Sequence, residues 1–141
     1  KQNKVQEAFK FFDKAVDLNQ ENHIALNNYA YYLSLFGQNL DKAERMSGKV
    51  IERFPDNPTY LDTHAWVLFR KGDFSLAKFY MESALNNGGD QNATLLEHYG
   101  DILYKLGKKE EAVKYWQKAK ENGGGTEILE RKIKEKRYLE E

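Results

Sequence analysis

Apolar side chains recur three and four positions apart along almost the whole chain, and Gly, Asn, Asp and Pro interrupt that rhythm at regular intervals. Such spacing puts one apolar stripe on each of a series of helices and stops each helix at a residue that favours a turn. The pattern predicts helices at roughly 4–18, 23–36, 39–54, 58–70, 74–86, 93–106, 109–121 and 126–139, an all-α chain. Gly37, Gly72 and Gly107 stand just past the first helix of successive pairs, where glycine closes a helix end in the left-handed conformation. Pro58 suits a first helical position with Asn57 before it as N-cap, and Pro55 stops the helix that precedes it.

The stripe also repeats at a longer range. Leu26, Ala30, Leu33 and Gly37 return as Leu61, Ala65, Leu68 and Gly72, and again as Leu96, Gly100, Leu103 and Gly107, each set 35 residues after the last. A fixed period of this size marks stacked helical units that share a core only with their neighbours. Ala30, Ala65 and Gly100 are small enough to admit a crossing helix, while the leucines fill the layer between units. The connections 86–92 and 122–125 join units, and Gly123, Gly124 and Gly125 read as a flexible joint.

These residues resemble the tetratricopeptide repeat, a helix-turn-helix unit with small residues where its two helices cross. In 58–92 Leu61, Ala65, Leu68, Gly72, Ala77, Met81 and Ala84 stand at the signature places, and in 93–125 Leu96, Tyr99, Gly100, Leu103, Gly107, Ala112, Trp116 and Ala119 do so. The unit 23–57 matches with Leu26, Tyr29, Ala30, Leu33, Gly37, Ala43 and Pro55, but departs where Ala43 comes one residue late and where Ser47 and Val50 replace a large residue and an alanine. Ala8, Phe12 and Ala15 make 1–22 look like the second half of a unit, and 126–141 looks like a solvating end helix with Ile128, Leu129 and Ile133 on its inner side. The resemblance implies a single domain, 1–141, folded as a right-handed α-solenoid. The absence of an initiating Met and the opening half-unit read as a processed or truncated piece, whose uncovered first face would favour self-association.

Arrays of this family curve, and the resemblance implies protein or peptide binding on the concave surface lined by the first helix of each pair. Helical geometry places Asn27, Asn28 and Tyr31, then Asp62, Thr63, Trp66, Phe69 and Arg70, then Glu97, His98, Asp101, Tyr104 and Lys105 on that surface. Its aromatic members are suited to ligand contact, although Trp66 and Phe69 are equally suited to packing against the next unit. Family members that hold carboxylate-ended peptides use a Lys, Asn and Arg clamp. Here Asn27, Tyr31, Thr63, Thr94 and His98 occupy those places, so the clamp is missing. Asp62, Glu97 and Asp101 point instead to a partner segment carrying Lys or Arg with apolar side chains, unless they serve only solubility.

Composition narrows the alternatives. The 22 basic and 22 acidic residues cancel, removing the global attraction that nucleic acids or anionic membranes require. The run 131–137 is basic, but Glu135 interrupts it and it reads as a solvated cap. There is no cysteine, which excludes disulfides and thiolate metal sites and fits cytosol and periplasm equally. No apolar run approaches a membrane span, and residues 1–4 lead into an amphipathic segment with no targeting signal. His23, His64 and His98 are scattered, and no phosphate loop, zinc motif or dinucleotide fingerprint is present, so neither cofactor, metal nor catalytic residue is expected. The sequence therefore reads as a noncatalytic scaffold or adaptor. The alternative is a spacer or self-association segment of a larger enzymatic or envelope-associated protein.

Overall fold

The computed structural model describes residues 22–140 together with Glu7, Lys10 and Lys14, which are helical and exposed. The rest of the helix expected at 4–18, with Ala8, Phe12 and Ala15 and the half-unit they define, lies outside the described residues. From residue 22 onward the regular structure is helical throughout: α1 (His23–Phe36), α2 (Leu40–Arg53), α3 (Pro58–Lys71), α4 (Phe74–Ala84), α5 (Ala93–Lys105), α6 (Lys109–Glu121) and α7 (Glu127–Glu135). A π-type turn, Leu85–Gly89, follows α4.

Each pair begins the same way. Asn22, Asn57 and Asn92 accept from the backbone N–H three residues on, at 3.0, 3.1 and 3.2 Å, and Thr126 does the same for α7 at 3.1 Å. These caps satisfy N–H groups that a helix start otherwise leaves orphaned. The turn inside each pair passes through Gly37, Gly72 or Gly107, all at positive φ. After Gly72 and Gly107 the next residue, Asp73 or Lys108, is already the N-cap of the second helix. After Gly37 one more residue intervenes, and Asn39, left-handed at φ 48°, is the N-cap. That extra residue is why Ala43 falls one place late.

The main packing is between α1 and α2, α3 and α4, and α5 and α6, and each pair then stacks on its sequence neighbours, the arrangement of an α-solenoid. α3 is sandwiched: Leu61 through Phe69 are all buried. Val67 joins the core made by Leu26, Leu33, Met46 and Val50 of the first pair, while Leu61, Ala65 and Leu68 join the core shared with α5 and α6. At the last crossing the backbone of Gly100 meets Trp116 directly, and a Cβ there would lie 2.5 Å from the Trp116 ring and 3.0 Å from the Ala112 carbonyl oxygen.

Three expectations are corrected. The α4 helix ends at Ala84 instead of 86, because Asn87 and Gly88 take non-helical angles. The Gly123, Gly124 and Gly125 connection is a close-packed corner and not a flexible joint: Gly124 N–H donates to Ala119 O at 2.8 Å, and a Cβ on Gly124 would stand 2.7 Å from Leu129 Cδ2. The end helix stops at Glu135 instead of 139, since Lys136 is left-handed at φ 54° and sends the chain back over α3 and α5.

Gly100→Ala tests the crossing. The clash with fully buried Trp116 exceeds the roughly 1 kcal/mol of helix propensity that alanine supplies. A net loss of about 2 kcal/mol is expected in urea unfolding, and an unchanged midpoint would mean that Trp116 has room to move.

Candidate functional site

One face of α1, α3 and α5 forms a trough. A cavity of about 430 Å³ lies along it, with Tyr31 and Leu35 from α1, Trp66 and Arg70 from α3, and Thr94, Glu97, His98 and Asp101 from α5. Thr126, Lys132 and the segment 138–140 close its far side.

The residues expected on this face separate by burial. Asn27, Asp62, Thr63, Trp66, Phe69, His98 and Asp101 are buried; Tyr31, Arg70, Glu97 and Tyr104 are half-buried; Asn28 and Lys105 are exposed. Trp66 stacks on Phe69 at 4.4 Å and on His98 at 3.9 Å, while Phe69 also meets Phe74 and Tyr138. The packing role open to Trp66 and Phe69 is thus one they perform. Tyr104 stacks over Trp116 at 5.9 Å.

The acidic character of the trough is answered from within the chain. His98 Nδ1 donates to Asp62 Oδ1 at 2.8 Å. Lys132 Nζ donates to Glu97 Oε2 at 2.7 Å and to Asp101 Oδ1 at 2.9 Å. Asp101 Oδ1 accepts a further bond from Trp116 Nε1 at 3.0 Å. These bonds form a repeated rung. Asp62 and Glu97 stand five residues after the N-caps Asn57 and Asn92, and their partners His98 and Lys132 stand six after the next N-caps, Asn92 and Thr126. Lys132, expected on a solvated surface, is 2% exposed. The carboxylates that suggested a basic partner are therefore already paired, and that ground for expecting one is withdrawn.

Burial and charge compete at Asp101, His98 and Lys132. Burial pushes the Asp101 carboxyl up to about 6 even though Lys132 and His98 favour its charged form. Burial also works against a charged His98 and a charged Lys132, but Asp62 beside the first and Asp101 with Glu97 beside the second prevail, and both hold their protons above the ordinary range.

Sequence reasoning missed a second polar pin. Ser47 Oγ and His64 Nδ1 are hydrogen-bonded at 2.6 Å, joining α2 to α3, and the Tyr80 ring meets the imidazole edge-on at 4.6 Å. Both members are buried, and burial lowers the His64 pKa. A neutral imidazole inside a helix interface is a packing element, and Ser47, 1% exposed, presents no nucleophile to a substrate. Among the described residues no group of His and carboxylates is arranged to hold a metal, and no helix is long and apolar enough to cross a membrane.

Residues 93–122 match the family model of the tetratricopeptide repeat. No curated protein matches the sequence. Among solved structures, a tetratricopeptide repeat protein from Parabacteroides merdae is 23% identical with a TM-score of 0.80, over 94% of this chain and 51% of that one, so the chain spans about half of it. MamA from Desulfovibrio magneticus is 15% identical with a TM-score of 0.72, over 85% of this chain and 67% of that one. The first tetratricopeptide-repeat domain of Spaghetti (RPAP3), solved with an HSP90 peptide, is 19% identical with a TM-score of 0.72, over 82% and 90%. These likenesses establish the fold.

The charge cluster generates two expectations. Lys132→Met leaves Asp101 and Glu97 without their cation and should cost about 3–5 kcal/mol, most of it recovered on adding Asp101→Asn; urea unfolding of the three chains measures this. A His98 pKa raised from 6.5 means that the stability it adds is complete below that value and is lost as pH climbs through the raised pKa. Melting temperature should therefore fall as pH rises above about 6.5 in the wild type, and the decline should flatten in His98→Gln. His64 contributes in the opposite sense and only below its ordinary value, because its pKa is lowered.

Proposed function

We propose that this chain, whose fold is that of tetratricopeptide-repeat arrays, is a noncatalytic protein-interaction scaffold that binds an extended or helical segment of another protein along the trough of α1, α3 and α5. The units would be 23–57, 58–92 and 93–125, with 1–22 completing an earlier unit and 126–141 covering the last. The observation that carries the reading is the cavity itself: about 430 Å³, open along three helices, and edged by the half-buried surfaces of Tyr31, Arg70 and Glu97. Aromatic and guanidinium groups held this way on rigid helices are the side chains that dominate binding energy at interfaces. The peptide carried by the RPAP3 domain of the same fold supports the same use here.

Within the trough the buried members Asp62, Trp66, Phe69, His98 and Asp101 would set the floor and its shape. Direct contact would fall to Asn28, Tyr31, Arg70, Glu97, Tyr104 and Lys105. This division selects the variants for a test, because substitutions at the floor disturb folding together with binding.

Panning a random peptide library against the wild type, with Tyr31→Ala, Arg70→Glu as the counter-screen, tests the proposal. Peptides selected on the wild type should lose at least about tenfold in affinity on the variant, about 1.4 kcal/mol, while its helical circular dichroism is retained. Selected peptides that bind both chains equally would place recognition elsewhere and favour a spacer or self-association role.

A further inference from the structure

The segment after α7 lies in the trough. It leaves the helix at left-handed Lys136 and brings Tyr138 edge-on to Phe69, with ring centroids 5.6 Å apart and Lys105 Nζ 4.8 Å from the Tyr138 ring. Two residues on, Glu140 Oε1 accepts from Arg70 Nη1 at 2.9 Å. On one side is the cavity of about 430 Å³, on the other a second of about 520 Å³, and Arg70, Tyr138 and Glu140 line both. The segment is thus the partition between two halves of one longer trough.

Lys132 Nζ also lies 5.4 Å from the Tyr138 ring, but the ion pair that anchors the segment's end is of the kind a competitor can replace. Tyr138 and Leu139 remain half-buried. The carboxylate side of the Arg70 to Glu140 pair is 66% exposed, and an ion pair open to water adds little. Apart from Glu140 itself, the charges nearest the segment sum to a positive value. Asp62, Glu97 and Asp101 outnumber His98 and Lys132 by one, and Arg70 and Lys105 add two positive charges, which leaves the rim with a net charge of plus one.

We propose that 138–140 is a built-in occupant of the trough and a template for its ligand: a partner segment with an aromatic residue, an aliphatic residue and then a carboxylate, which binds by displacing Tyr138, Leu139 and Glu140. This rests on the trough being a peptide site, and it reverses the charge of the partner expected from the sequence. The ring takes the place between Phe69 and Lys105, and the carboxylate takes Arg70. A tethered occupant competes at high effective concentration, so the chain binds such a partner more weakly than the bare trough would.

The probe is a fluorescein-labelled peptide Lys-Arg-Tyr-Leu-Glu-Glu, the sequence of 136–141, titrated by fluorescence anisotropy. It should bind Tyr138→Ala, Glu140→Gln about tenfold more tightly than the wild type, because the competing segment is removed. Adding Arg70→Glu should cancel that gain, and a peptide with Ala for Tyr and Lys for both Glu should not bind. Arg70→Glu, Glu140→Arg keeps an internal pair, so it should melt with the wild type yet bind the acidic peptide no better than it does. Equal binding to the wild type and the opened variant, or none to the opened variant, overturns the proposal. If library peptides depend on Tyr31 and Arg70 but lack the aromatic and acidic pattern, the trough stands and this inference alone fails. If no peptide depends on them, both fail.

Discussion

An ammonium group in a side chain that is 2% exposed must be neutralised where it stands, and at Lys132 that requirement organises one end of the molecule. Its two carboxylate partners, Glu97 and Asp101, stand one helical turn apart on α5, which fixes where α7 docks. Asp101 in turn holds the indole N–H of Trp116, the fully buried ring against which Gly100 must be bare. The position of α7 then decides where the chain goes after Lys136, and so whether Tyr138 and Glu140 meet α3. A surface ion pair could not transmit a geometry through four elements in this way. A buried one can, because each group it leaves unpaired is costly.

Most of the helical framework is legible in the sequence. The 35-residue period and the glycine stops place α1 and α6 at their observed bounds, and the small residues Ala30, Ala65 and Gly100 lie at the crossings. Legibility ends where a residue's role depends on a neighbour one unit away. Lys132 looks like one more charge in a basic run, and only when Thr126 is counted as the N-cap does it fall in step with His98. Ser47 looks like a defect in the unit 23–57 until its hydroxyl is seen to hydrogen-bond His64 across the interface with α3. The end of α7 was beyond reach, because Lys136 is a good helix former and nothing in its vicinity announces a left-handed turn.

The trough was legible as a surface and illegible as an electrostatic object. Periodicity assigns Asp62, Glu97 and Asp101 to one face without saying what else reaches them, and three carboxylates in a row then suggest an acidic site. In the folded chain His98 and Lys132 offset two of these three charges, so the net field is the remaining one together with Arg70 and Lys105 at the rim. For stacked arrays in general, the charge of a binding face has to be read after the rungs between units have been subtracted.

The rungs also bear on how the chain reaches this state. His98 with Asp62, Lys132 with Glu97 and Lys132 with Asp101 each close over 31 to 36 residues, about one unit, whereas Arg70 and Glu140 are separated by 70. Loop-closure entropy grows only slowly with length, yet a contact spanning two units can form only after both have stacked. Assembly can therefore proceed unit by unit through contacts of low contact order. The Arg70 to Glu140 contact, which spans two units, depends on helices that are already in place, while none of the contacts between units depends on it.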